Sequence, residues 1–506
     1  IASGGNYNVV VGDEAGTALT TGDNNVAVGY AALDLEDTGT DSVAIGYNAL
    51  TAQNNDAANY NTAVGSGAGA AVTTGIQNTL IGGIAGVALT TGRENVAVGL
   101  AALTTEDAGN YNTAIGARAL QTQNAGTDIY NTAVGYAAGL NVTTGVNNTL
   151  IGGLAGDAIT TGGYNTAVGY LSGSAITTGS GNAFFGLRAG AGTTTGTANT
   201  FVGGSSNSYA GYANTTGSNN TAVGTDALAA NTTASNNTAV GMDALTAITT
   251  GANNTAVGLN AGDALIDADY NVAVGEGALG ADTYGSNSTA IGRLALAQQN
   301  FTSATNSENT AVGYIAGYSV TTGTNNTLIG MASGDAITTG GTNTAVGTFS
   351  LSGNTTAGNN TAVGYQALLA NTTGYNNLAL GANALDANTT ANNNVAVGPN
   401  SLTANTIGAQ NVAVGTACMS ANTTGSDNIA MGVSALDANT TGSNNTALGR
   451  QALQANTTAS GNVAVGLSAL RLNTTGTQNV AVGTTTLTNC TTGANNTGIG
   501  HQSLNA

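Results

Sequence analysis

Few residues in this 506-residue chain could do covalent chemistry. There is one histidine, His501, and there are two cysteines, Cys418 and Cys490. Catalysis needs such groups set against a base, a second carboxylate or a metal, and none of the three has a partner of that kind nearby in the sequence. If the chain stacks in layers at β spacing, the two thiols lie about 19 Å apart, beyond disulfide reach. The carboxylates come closest to a site, because paired acids are the machinery of glycosidases. Glu36-Asp37 and Glu106-Asp107 occupy equivalent turns. Segments 29–99 and 99–169, however, are two copies of one 70-residue unit, so the second pair duplicates the first. A copied acidic turn reads as a solvated loop. Asp267 and Asp269 form another small acidic turn, without an EF-hand or nonapeptide calcium signature. The expectation is no enzyme, no cofactor and no metal.

The composition narrows the class further. Only 6% of residues are charged and 4% are aromatic, against the quarter or so of charged residues usual in globular chains. The formal charge of −19 comes from 25 acids and six arginines, with no lysine. Such a surface repels nucleic-acid phosphates and anionic membranes. No apolar run approaches the roughly 18 residues of a membrane span, and no signal peptide is visible. Because Ile1 already lies inside the repeat pattern, the chain reads as a processed or partial product.

What must position any site is a repeat. The glycine closing each AVG-like triplet recurs 29 times from Gly12 to Gly500, and 24 of the 28 intervals are seventeen residues. Two intervals are nineteen and two are twenty-one, and from Gly313 onward the spacing never varies. A period this short predicts an all-β solenoid with one coil per repeat. Each coil should hold a strand at NTAVG, a second strand at the YQALLA-like segment, and an NTTG turn whose glycine supplies positive φ. The regularity divides the chain into variable coils with loop insertions over 1–346 and uniform coils over 347–506.

Four residues before the anchor glycine stands Asn in 27 of 29 coils, the exceptions being Ser42 and Ser288. Asparagine at one place in successive layers forms an amide ladder, expected at Asn237, Asn254, Asn360, Asn377, Asn394 and Asn411. Four residues after the anchor stands Leu or Gly, with few exceptions. Where it is Gly, a large apolar residue usually follows three positions on, so one bulky side chain per coil moves between two sites. A narrow close-packed core demands that trade. Val363, Leu368, Leu385 and Val397 are the expected core.

The strand is apolar on both faces, which normally means burial on both. With Val363 facing inward, Ala362 and its larger counterparts Leu80, Leu150, Phe184, Phe201 and Leu328 would face a partner chain. A coaxial homotrimer is the natural closed form.

The segment 41-DSVAIG-46 and its relatives NTAVG, NTAIG and NVAVG resemble the head repeats of YadA-type trimeric adhesins, and the YQALLANTTGYNN continuation is similar to repeats in phage tail-fibre proteins. The period here is longer than the family's coil, and Asn usually replaces its Ser before the strand. The resemblance implies a left-handed β-roll, trimeric assembly, an extracellular or virion location and a role in attachment.

Binding is expected where the period stretches, because insertions in a solenoid become loops on one side. The four stretched segments carry Tyr60, Tyr130, Tyr209, Tyr212 and Phe301, aromatics suited to a host surface glycan or protein. The leading role is therefore a structural and adhesive rod of a trimeric fibre. The alternatives are a self-assembling filament joined end to end, and ice binding through the repeated Thr-Thr pair. The last is disfavoured because that pair puts only one threonine outward, at a turn rather than on a flat strand.

Overall fold

The computed structural model describes residues 4–505. The chain divides into two compact units, Ile1–Asn253 and Asn254–Ala506, and each is a parallel β-solenoid built mostly of 17-residue coils. Fourteen three-residue strands, Val9–Val11 through Thr238–Val240, mark the coils of the first unit. Fifteen more, Thr255–Val257 through Thr497–Ile499, mark those of the second. The division at 346/347 expected from the sequence falls inside the second unit. Among the described residues no helix is long and apolar enough to cross a membrane.

Successive strands pair in parallel without slippage, as in Thr361↔Leu378, Ala362↔Ala379 and Val363↔Leu380. The anchor glycine follows because the chain must leave the strand through a backbone region closed to side chains. Gly364 has φ 137°, and a Cβ there would stand 2.5 Å from the Gly381 carbonyl oxygen.

Two local expectations are corrected. The YQALLA-like segment is a run of turns, not a second strand. Its residues two and four past the anchor are left-handed, Gln366 at φ 54° and Leu368 at φ 52°. The amides alternate in direction: Gln366 N donates to Thr348 O at 3.1 Å in the preceding coil, and Leu368 N to Ala384 O at 3.0 Å in the following one. These bonds to both neighbours satisfy the backbone, as a ladder would, and offset the steric cost of the left-handed region. The NTTG glycine, in turn, does not supply positive φ. A Cβ on Gly374 would crowd the Ala391 carbonyl oxygen, so the residue is small for space. Ala234, Ala357, Ala391 and Ala459 stand at the same position, nearly buried.

The orientation of the strand is also opposite to the expected one. Its middle residue points into the coil: Ala362, Ala379 and Ala396 are fully buried, whereas Val363 and Val397 are half-buried on the outside. Leu368 and Leu385 are core residues as expected. Leu80, Leu150, Phe184, Phe201 and Leu328 are all fully buried inside their own coils and form no chain–chain face. The glycines four past the anchor explain them. A Cβ on Gly69 would lie 2.6 Å from Leu80 Cδ1, and one on Gly86 2.8 Å from Leu80 Cδ2. Gly139 and Gly156 flank Leu150 in the same way, and Gly317 and Gly334 flank Leu328. The bulky side chain fills the space that Leu368 fills elsewhere, which makes the volume trade three-cornered. Phe184 and Phe201 stack in that interior with ring centroids 5.0 Å apart.

Candidate functional site

The asparagine column is buried and fully used. Asn377 N donates to Asn360 Oδ1 at 3.0 Å, and Asn377 Nδ2 donates to the Ala391 carbonyl at 2.9 Å. Asn394 and Asn411 repeat the pattern. Asn237 N donates to Asn220 Oδ1 in the same way, and Asn254 Nδ2 donates to Ala268 O. A second amide ladder, seven residues past the anchor, runs through Asn371, Asn388 and Asn405.

That second column holds what the sequence reading misplaced. Glu36 and Glu106 are fully buried, not solvated, and Asp282 joins them. Each precedes a stretched coil and meets a glutamine seventeen residues on. Glu106 Oε1 accepts from Gly109 N at 2.7 Å, while Oε2 accepts from Gln123 Nε2 at 3.2 Å and Ala125 N at 3.3 Å. Glu36 accepts from Gly39 N, Gln53 Nε2 and Asn59 Nδ2. Asp282 accepts from Gly285 N, Phe301 N and Gln299 Nε2. All the partners are donors, so an acceptor-only carboxylate fits where an amide would not. These acids hold the displaced loop backbone and are not a catalytic pair. The signal was present in the sequence as an acid followed by Gln at one period, just before three of the four insertions.

The loop aromatics separate by environment. Phe301 is only 6% exposed and packs toward Gly285, so it is a core residue, not a contact residue. Tyr60 is exposed. Exposed Tyr130 stacks on Tyr111 at 4.9 Å, with the Arg93 guanidinium 5.7 Å from the Tyr111 ring. Partial desolvation and the nearby Asp128 carboxylate push the Tyr130 phenol up from its ordinary pKa.

Tyr209 and Tyr212 stand at a place where an insertion borders a concave site. The inserted chain folds back through a bridge between Gly204 and Tyr209, and Tyr209 is fixed by its amide on Asp226 Oδ1 and its hydroxyl on Ser206 O. Its ring lies 5.6 Å from the Arg188 guanidinium and 5.2 Å from the Tyr212 ring. Between Arg188, Tyr212, Leu171 and Ser174 opens a cleft of about 270 Å³. Arg188 lies outside every stretched segment and only the coil stacking brings it there. In the second unit an equivalent position, past the 293–309 insertion, has a cleft of about 380 Å³ lined by Tyr314, Tyr318, Ile315 and Asp335. Arg293 lies over Tyr314 at 5.8 Å but is paired with Glu276 at 3.0 Å.

The other chemical groups are scattered. Cys418 is buried with its thiol on the Ala430 carbonyl at 3.2 Å, and burial pushes its pKa up to about 12. Cys490 is partly exposed and His501 exposed. Asp267 is exposed at a turn. Among the described residues no three His, Cys, Asp or Glu side chains converge in a metal-holding group.

No protein-family model matches the chain, and no curated protein does.

Proposed function

We propose that the chain is the structural and adhesive part of a trimeric fibre displayed on a virion or cell surface, with left-handed solenoids set around a common axis as in the YadA-like repeats its strands resemble. The outer strand face is the observation that carries this reading. With Ala turned inward, each coil presents a branched or bulky apolar residue outward. Ile115, Ile151 and Phe185 in the first unit, and Ile291, Ile329 and Leu380 in the second, are each more than a third exposed. Beside them runs a column of exposed Tyr136, Tyr170, Tyr314, Met331 and Tyr365. An apolar surface of that extent marks an interaction site, and copies of the chain packed side by side would cover it with closed symmetry. The residues differ from those the sequence suggested, yet the physical argument is unchanged: a strand apolar on both faces calls for cover on both. Attachment would use the exposed tyrosines of the stretched coils, with a host glycan or protein as partner and nucleic acid disfavoured by the charge of −19.

Sedimentation equilibrium of the full chain tests the assembly. A trimer is expected, and a stable monomer at micromolar concentration would end the proposal.

One observation favours a second reading. The strand places Thr361 and Val363 outward together, so a threonine-bearing face lies on the strand as well as at the Thr-Thr turn. The first threonine of that turn spends its hydroxyl on the next coil, Thr372 Oγ1 to Thr389 O at 3.0 Å. Thermal hysteresis of the monomeric or assembled chain would favour ice binding through the strand face over self-association.

A further inference from the structure

We infer that the cleft between Arg188 and Tyr212 binds an acidic sugar residue, with Arg188 taking the carboxylate and the Tyr212 ring taking the sugar's C–H face. The inference rests on the attachment part of the reading above and not on trimerisation, which sedimentation decides separately.

Three features of the cleft point to that ligand. The first is an excess of donors. Arg188 is one of six cations in the chain, and among the described residues its guanidinium has neither an ion pair nor a side-chain hydrogen bond. The Ser174 hydroxyl, across the cleft, has no partner either. The lining therefore offers the planar five-donor fork of Arg, the hydroxyls of Ser174 and Tyr212, and no carboxylate. Asp226 accepts the Tyr209 amide at 2.9 Å and is not part of the lining. A neutral sugar needs acceptors for its hydroxyl protons as much as donors, whereas a carboxylate matches the Arg fork in two parallel bonds.

The second feature is that the guanidinium is held in place. The Tyr209 ring beneath it is pinned at both its backbone and its hydroxyl, so the fork loses little freedom on binding. The cation sits at a left-handed position, φ 53°, that other coils fill with Gln366 and Gln451 at φ 54° and 58°. Its presence there is thus not demanded by the coil.

The third is size and shape. About 270 Å³ lies just under the range of pockets for drug-sized ligands, which suits one ring of an oligosaccharide lying across the coil. Tyr212, 42% exposed, supplies a flat apolar wall, and Leu171 faces it with an aliphatic one. The second-unit cleft lacks the excess of donors. It is lined by Asp335, which accepts from Ser352, and the neighbouring cation Arg293 is already paired with Glu276. It serves as an internal control of similar shape and opposite polarity.

The test is calorimetric titration of the full chain with a tetragalacturonate, and with the same oligomer methyl-esterified. The acid form is expected to bind and the ester to bind at least about tenfold more weakly. Arg188→Gln, a residue the same coil position already accommodates, should lose about tenfold or more in affinity for the acid with an unchanged circular dichroism spectrum. Tyr209→Ala should weaken binding through the loss of the platform while Tyr209→Phe retains it. Asp335→Ala in the other cleft should change nothing. Absence of tetragalacturonate binding, equal binding of the ester, or an Arg188→Gln variant that binds like the parent would each overturn the inference.

Discussion

Replacing Glu106 by its nearest isostere should damage the fold more than the size of the change suggests. Glu106→Gln alters no volume, yet it puts an amide NH2 where the structure supplies only donors. If the new amide oxygen stays on Gly109 N, its nitrogen faces Gln123 Nε2 and Ala125 N. Flipping Gln123 does not help, because its Oε1 already accepts from Asn131 Nδ2 at 2.8 Å. Asn131 cannot flip in turn, because its Nδ2 also serves Gly145 O and its Oδ1 accepts from Asn148 N. The polarity of the whole chain of bonds is set by one acceptor-only group. Losing a charge-assisted bond costs about 1.5–3 kcal/mol, and burying an unsatisfied donor about 1–3 more. A net local cost of about 3 kcal/mol follows, which corresponds to roughly 100-fold in an opening equilibrium. Repeat arrays do not unfold in one step, so the readout is native-state hydrogen exchange of the loop amides at Ala125 and Ile129. Their protection should drop about 100-fold, with that of coils far from the substitution unchanged. Protection within a factor of two of the parent would show that the site tolerates a donor and that the acceptor-only argument is wrong. Glu36→Gln and Asp282→Asn should behave in the same way, through Gln53 and Gln299.

The neighbouring residues Leu328 and Ile329 should separate folding from the proposed assembly. Leu328→Asp buries a charge in the coil and should unfold it locally, whereas Ile329→Asp should leave the circular dichroism intact and abolish the proposed trimer in sedimentation. The two glycine types should part likewise. Gly364→Ala, at φ 137° and against the next coil's carbonyl, should cost about 1–3 kcal/mol in chemical denaturation, while Gly374→Ala, buried but without positive φ and at a position where other coils hold Ala, should cost less, about 1 kcal/mol. Cys418 should resist alkylation at pH 8 while Cys490 reacts, as mass spectrometry would show. The pKa of the Cys418 thiol is raised on folding to about 12 from an ordinary value near 9, so the unfolded form sheds its proton first. The stability it contributes is then complete below about pH 9 and declines between pH 9 and 12. Cys418→Ala should flatten that part of the melting profile.

The period, the asparagine ladder and the trade of bulk between neighbouring columns were all legible in the sequence, because each depends on one column of residues seen through 29 repetitions. Leu368 and Leu385 could be assigned to the core from that trade alone. Strand orientation was not legible. Thr-Ala-Val is apolar enough on either face, and alternation cannot say which side is inside when Ala and Val are both acceptable there. The deciding fact is that Leu368 enters the coil from the opposite wall and leaves room only for Ala362. Where the leucine is replaced by glycine, as at Gly69 and Gly86, Leu80 can take its place. Phe301 was assigned outward because it lies in a loop, whereas the loop is folded back on Asp282. Glu36 and Glu106 were assigned to solvent because each stands in a copied acidic turn; the donors that bury them lie one coil away.

Sequence alone therefore determined the architecture of this protein, since a fixed 17-residue repeat with Asn and Gly in register admits little but a stacked parallel coil. Tertiary structure alone decided which face of each coil meets water, and which residues of adjacent coils meet each other. Those depend on how much side-chain volume the narrow interior holds, and on contacts such as Arg188 with Tyr209 that join residues twenty-one positions apart.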